Sequence, residues 1–294
     1  MKPHVILIAN PEAKRASRQK IQEAVELLKA AGHEVTVHLT EKRGDAEEFA
    51  RNASQGDISF LLAAGGDGTF NEVMNGIANT NTRMAILPMG TTNVLAKELG
   101  VPENAVGAVH AALTGTEHTV SLGSITFSQR SSLITRYFCL MAGIGFDGEA
   151  VYGINTAVKK YWGKGAYILS GLKALAVYSP GELTFVGNGQ TFKGYSAIIG
   201  KASRYGGDFR ITPDARLVNP ELYAFIMHGK RRMDILRYAG GIVMGSHLGF
   251  SDITYLKTDS VQVEGTAHVQ IDGDYLGTTP ATITVVPGAI KLIC

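Results

Sequence analysis

A run of small residues, Gly65-Gly66-Asp67-Gly68-Thr69, follows the apolar stretch from Ile58 to Ala64 and precedes a segment with helical spacing from Phe70. Glycines let backbone N–H groups approach an anion, and a helix start adds unpaired donors and the positive end of its dipole. That is the chemistry of phosphate binding. Asp67 would repel a phosphate unless a divalent cation or a polar ligand hydroxyl came between them. The run therefore points to a magnesium–nucleotide, with Asp67 as the candidate metal residue. The same residues also read as a tight turn with a capping box, because Thr69 and Glu72 have Ser/Thr-x-x-Glu spacing. The two readings are compatible, since a cap leaves the other loop amides available.

The surrounding pattern must hold this loop in place. Val5–Ala9 reads as a buried strand ending at Asn10-Pro11, Ala13–Ala31 as a helix stopped by Gly32, and Glu34–Leu39 as an alternating strand followed by Thr40. An acidic first turn opens another helix at Asp45, which ends near Gly56. After the Gly65 loop the spacing predicts a helix from Phe70 to Ala78 and a strand from Met84 to Leu87. The turn Pro88-Met89-Gly90-Thr91-Thr92-Asn93 then leads into a helix from Val94 to Leu99, and a further helix covers Asn104–Leu113. Alternating strands and helices predict a parallel sheet covered on both faces. The carboxyl ends of its strands share one edge, which gathers Asn10, Thr40, the Gly65 loop and the Gly90 loop.

Near Ser121 the pattern changes to short strands with glycine turns, so a second domain is expected over residues 122–294 after an α/β domain over 1–121. The last strand can pack back on the first domain. Strands are expected at Leu133–Met141, Glu182–Val186, Gln190–Gly194, Leu222–His228, Ile253–Lys257, Val261–Gly265 and Ala281–Val286, and Asn188-Gly189 is a hairpin signal. The expected architecture is a β-sandwich interrupted by helices at Glu149–Lys160, Ala166–Tyr178 and Met233–Met244, with a cleft between the two domains.

Composition excludes several function classes. With 28 Lys plus Arg against 26 Asp plus Glu, the net charge of +2 gives no electrostatic case for nucleic acid. Cys139 and Cys294 lack metal-ligand spacing, which fits a reducing cytoplasm. No apolar run approaches a membrane span, so any membrane contact is expected to be peripheral, at the inner face. The cluster Lys159-Lys160-Tyr161-Trp162-Gly163-Lys164 mixes cations with interfacial aromatics and would suit an anionic bilayer, or else a solvated helix end. Gly143-Ile-Gly-Phe-Asp-Gly148 satisfies the dinucleotide-binding pattern, but no carboxylate follows about 20 residues on to hold a ribose. There is no Walker-type loop, and nothing in the pattern sets an oligomeric state.

The two glycine loops resemble those of the diacylglycerol kinase catalytic-domain superfamily, specifically bacterial lipid kinases, with sphingosine and ceramide kinases as relatives. Matching positions are Asn10-Pro11, Thr40 with Gly44-Asp45-Ala46, Gly65–Val73, Pro88–Leu95, Gly143–Asp147, Gly163–Tyr167, Tyr205-Gly206-Gly207 and Asp272-Gly273. The resemblance implies an NAD kinase/diacylglycerol kinase-like α/β domain followed by a lipid-binding β-sandwich domain, and ATP-dependent phosphorylation of a lipid hydroxyl, diacylglycerol-like or sphingoid. It implies that Asn10, Thr40, Gly65, Gly66, Asp67, Gly68, Thr69, Glu72, Gly90, Thr91, Thr92, Asp272 and Gly273 hold the nucleotide, that Asp67 faces Mg2+ and that Asp274 is the acid-base group. Four departures accompany it. The family's Asp-Gly-Glu is Asp272-Gly273-Asp274 here, Ser121 stands where an aspartate is frequent, Val218-Asn219-Pro220 replaces an Asp-Asp-Gly metal motif, and no glycine follows Asn10-Pro11 closely. Two rival expectations follow: a nucleotide- or lipid-binding homologue without turnover, and an NAD kinase-like enzyme sharing the first loop.

Overall fold

A computed structural model describes residues 2–13, 17–129, 132–152, 171, 173, 175–176 and 178–294. The chain divides into two compact units, one of Met1–Leu122 with Pro287–Cys294 and one of Gly123–Val286.

In the first unit β1 (His4–Ala9), β2 (Glu34–Leu39), β3 (Phe60–Gly65) and β4 (Arg83–Pro88) pair in the parallel order β2-β1-β3-β4. β1 and β3 are buried almost throughout, as central strands covered on both faces must be. Around them lie α1 (Ser17–Ala30), α2 (Asp45–Ala53), α3 (Asp67–Ile77), α4 (Val94–Leu99) and α5 (Ala105–Thr114). The helix expected from Phe70 begins earlier, at Asp67, with Gly66 in extended conformation as its N-cap and no side chain capping it. The Thr69/Glu72 capping box is thereby corrected. Thr69 is already inside the first turn, and its side chain lies against Gly65, where an added Cβ would sit 2.4 Å from Thr69 Oγ1.

The second unit holds two antiparallel sheets. One runs in the order β14 (Ile253–Thr258), β13 (Leu222–Met227), β10 (Ser196–Gly200), β7 (Met141–Ile144), β16 (His268–Ile271), β17 (Asp274–Thr278). The other includes the hairpin of β8 (Leu183–Gly187) with β9 (Gln190–Gly194), β15 (Ser260–Glu264) and the first half of β18 (Ala281–Ile293), joined by β5 (Glu117–Gln129) with β6 (Ser132–Phe138). Ile125, Phe127, Phe185, Ile199, Phe225, Val263, Ile271 and Ile283 belong to one apolar core of this unit. Burying it is the main force holding the sandwich together. A small ribbon of β11 (Arg204–Tyr205) with β12 (Phe209–Arg210) completes the strands, and α6 (Phe146–Tyr152) and α7 (Arg232–Met244) add helices. Asn188 and Gly189 both have positive φ, 53° and 72°, as the two-residue hairpin signal requires.

Three sequence expectations need correction here. Strand Leu133–Met141 is broken at Cys139-Leu140 into β6 and β7, because the N–H groups of 139, 140 and 141 turn to a side chain instead of a ladder. β5 starts at Glu117, ahead of the expected change of pattern. β10 and the hairpin of β16 with β17 were not expected at all; the hairpin turns at Asp272-Gly273, where φ is 48° and 86°. The Lys159–Lys164 cluster lies outside the described residues.

Candidate active site

Each parallel strand of the first unit ends in a polar turn, and hydrogen bonds extend the sheet one residue beyond the strands. Thr40 N–H donates to Ala9 O (2.9 Å), Asn10 N–H to Ala64 O (2.9 Å) and Met89 N–H to Gly65 O (2.7 Å). The ends of β2, β1, β3 and β4 are thus locked side by side, which brings Thr40, Asn10, Gly65 and Gly90 to one edge. Asn10 Oδ1 also accepts the Glu12 N–H, closing its own turn.

The two glycine loops touch backbone to backbone. A Cβ on Gly90 would lie 2.7 Å from Gly66 Cα, and a Cβ on Gly66 would lie 3.2 Å from Gly90 Cα. The first intrahelical bond of α3 is from Phe70 N–H to Gly66 O, so the start of α3 carries N–H groups without helical acceptors. Residues 66, 67 and 68 are half-buried rather than sealed, and Thr91 is exposed. A phosphate fits such a surface, because it needs donors, small residues and an approach from solvent.

Asp67 has a role that its residue type did not announce. Its Oδ2 accepts the Val94 N–H and its Oδ1 the Leu95 N–H, both at 3.0 Å, so the carboxylate caps α4 and ties the first loop to the second. Asn93, buried with a left-handed φ of 49°, donates to Gly90 O and to Glu103 Oε1. Among the described residues no group of three Asp, Glu, His or Cys side chains converges on a point that could hold a metal. Ser121 accepts the Gly288 N–H at 3.3 Å. Glu72 sits half-buried in α3.

In the second unit the Asp272-Gly273-Asp274 turn is anchored on both sides. Asp272 Oδ2 accepts the Cys139 N–H (2.8 Å), while Oδ1 accepts those of Leu140 and Met141 (2.9 Å each). Its carboxylate is thus engaged inside the fold, in a structural role that the residue type alone does not show. Gly273 N–H donates to Gln270 Oε1 at 2.7 Å. Asp274 opens β17, half-buried, opposite Ile271.

Sequence reasoning missed Asp147. It is 8% exposed in the first turn of α6, with Oδ1 accepting the Tyr205 hydroxyl and Oδ2 the Gln270 amide. Burial pushes its carboxyl above the usual carboxylate range, and those two hydrogen bonds act in the opposite direction. The signal was present in the discounted Gly143–Gly148 pattern. A Cβ on Gly143 would lie 1.8 Å from Asp147 Oδ2, and one on Gly148 would lie 2.1 Å from His268 O, so these glycines make room for a carboxylate and a close helix, not for a dinucleotide.

Comparison with known proteins decides the lineage. The diacylglycerol kinase catalytic domain matches residues 4–125, and the YegS C-terminal NAD kinase beta sandwich-like domain matches residues 141–294. The chain belongs to the diacylglycerol kinase catalytic-domain superfamily. It is 29% identical over 282 residues to a diacylglycerol kinase of Bacillus subtilis (strain 168), covering 93% of this chain and 90% of that one. It is 28% identical over 288 residues to a diacylglycerol kinase of Staphylococcus carnosus (strain TM300), covering 96% and 92%. A crystal structure of a diacylglycerol kinase from Bacillus anthracis str. Sterne shares the fold with a TM-score of 0.73 at 21% identity, covering 99% and 97%. Yeast NADH kinase shares it more distantly, with a TM-score of 0.55 at 10% identity, covering 100% and 84%. Family membership places the chain among phosphotransferases with an alcohol group as acceptor.

Proposed function

We propose that the protein is an ATP-dependent lipid kinase that transfers the γ-phosphoryl group to a hydroxyl of a diacylglycerol-like or sphingoid lipid. The observation that carries this reading is the backbone contact of Gly66 with Gly90 at the start of α3, which leaves a glycine-walled, donor-rich surface where a triphosphate can lie. In this reading Asn10, Thr40, Gly65–Thr69, Glu72 and Gly90–Thr92 hold the nucleotide, and Mg2+ supplies charge neutralisation on its phosphates. Asp274 orients or deprotonates the attacking hydroxyl, through a side chain one methylene shorter than the family's glutamate. Phosphoryl transfer depends on positioning and charge stabilisation more than on covalent help, so two loops and one carboxylate form a sufficient set. None of the helices among the described residues is long and apolar enough to cross a membrane. In this proposal the lipid is reached peripherally, from the inner membrane face.

The test supplies labelled ATP and magnesium with mixed lipid extracts, and separately with NAD. Labelled lipid is expected, and Asp274→Asn is expected to lower its turnover by about 10²-fold to 10⁴-fold with nucleotide affinity unchanged. Label on NAD alone would replace the lipid reading by an NAD kinase-like one. Nucleotide binding with no labelled product would leave a binding homologue.

A further inference from the structure

We propose that Asp147 is a positioning residue for Asp274, acting through Gln270 to fix the turn from which β17 starts. The inference rests on the reading of Asp274 as the group that receives the hydroxyl proton. Its physical content is the direction of one side-chain amide. Gln270 is 2% exposed and its two ends face different partners, Nε2 toward Asp147 Oδ2 and Oε1 toward the Gly273 N–H. An amide can be satisfied either way round, but a carboxylate only accepts, so Asp147 selects the orientation that leaves the oxygen for Gly273. With the amide reversed, an NH2 group would face the Gly273 N–H and the bond would be lost. Asp272 already secures the other side of the turn through the N–H groups of 139–141. Gly273, directly before Asp274, is a second point at which the turn is held.

The surroundings are built around this carboxylate. Gly143 leaves the space it occupies, and Tyr205, on a ribbon of its own, turns its hydroxyl inward to bind the second oxygen. Burial works against the charged form of this carboxyl, while the Tyr205 and Gln270 hydrogen bonds favour it. A residue kept for packing alone would not be of this kind. One that fixes the polarity of a hydrogen-bond chain ending at the turn would be.

The experiment compares wild type, Asp147→Asn, Asp274→Asn and the double variant, using magnesium–ATP and dispersed diacylglycerol, with amide hydrogen exchange at Gly273 measured in each. Asp147→Asn is expected to lose about tenfold or more in kcat. KM for ATP should stay unchanged and Gly273 should exchange faster. The double variant should be no slower than Asp274→Asn, since both changes disable one unit. A wild-type kcat in Asp147→Asn, an unchanged Gly273 exchange rate or multiplying losses in the double variant would each overturn the inference. If Asp274→Asn keeps the wild-type rate, the base assignment fails instead, and Gly273 exchange still decides whether Asp147 governs the turn. Should Asp147→Asn not fold, Gln270→Met breaks the same link at similar volume and carries the same readouts.

Discussion

The Gly65–Thr69 turn and the Asp272–Asp274 turn are both written in glycine and aspartate, yet they need those residues for different reasons. At Gly66 the backbone is extended, with φ of −99°, and the demand is for space, because Gly90 is in contact. At Gly273 the demand is for a left-handed conformation, since φ is 86° and the preceding Asp272 is already at 48°. The aspartates differ as well. Asp67 caps a helix start with two N–H bonds, whereas Asp272 takes three N–H groups from an interruption between strands. One turn is partly open to solvent at residues 66–68. The other holds the chain to itself.

Three substitutions turn that contrast into measurements. Asp272→Ala has the largest expected effect. Cys139 and Leu140 are buried, and unpaired N–H groups at 139–141 at about 1 kcal/mol or more each imply a loss on the order of 3 kcal/mol in chemical denaturation. A loss below about 1 kcal/mol would show that this turn is no anchor. Next comes Gly66→Val, whose branched side chain pushes against the Gly90 backbone. ATP affinity by calorimetry should fall about 100-fold, near 2.7 kcal/mol, with the melting temperature little changed. Unchanged affinity would move the nucleotide away from these loops. Asp67→Ala is the mildest for stability, about 1 kcal/mol for a lost helix cap, and its larger consequence should be weaker magnesium-dependent nucleotide binding. Were it to destabilise the protein as much as Asp272→Ala, the distinction between an open turn and an anchoring one would collapse.

The legibility of the two turns followed the range of the interactions that define them. The alternation from Val5 to Leu99 fixes a parallel sheet locally, and the order of strands then places Asn10, Thr40, Gly65 and Gly90 at one edge with no further information. The partners of Asp272 lie more than 130 residues away in sequence. Nothing in Leu133–Met141, which reads as one apolar strand, shows that its backbone turns aside at Cys139 to meet a carboxylate. The helix start was misplaced for a similar reason. Thr69 has the composition of a cap, but the contact of Gly66 with Gly90 lets α3 begin at Asp67. Asp147 was hidden by its own glycines, which imitate a dinucleotide motif while serving to clear space for a buried acid.

The path of β18 bears on the order in which the protein can be made. Leu292 and Lys291 pair with Met84 and Arg83, Asn79 donates to Ala289 O, and Thr116 and Cys294 exchange backbone hydrogen bonds, all within the first unit. During synthesis β4 therefore waits with an open edge while the whole of Gly123–Val286 is added, and an open strand edge is where chains pair wrongly. The second unit is contiguous and needs no such delay. The half of the protein that is translated first is thus the half that is finished last, and a nascent chain released before Pro287 would carry a complete sandwich beside a sheet still missing a strand.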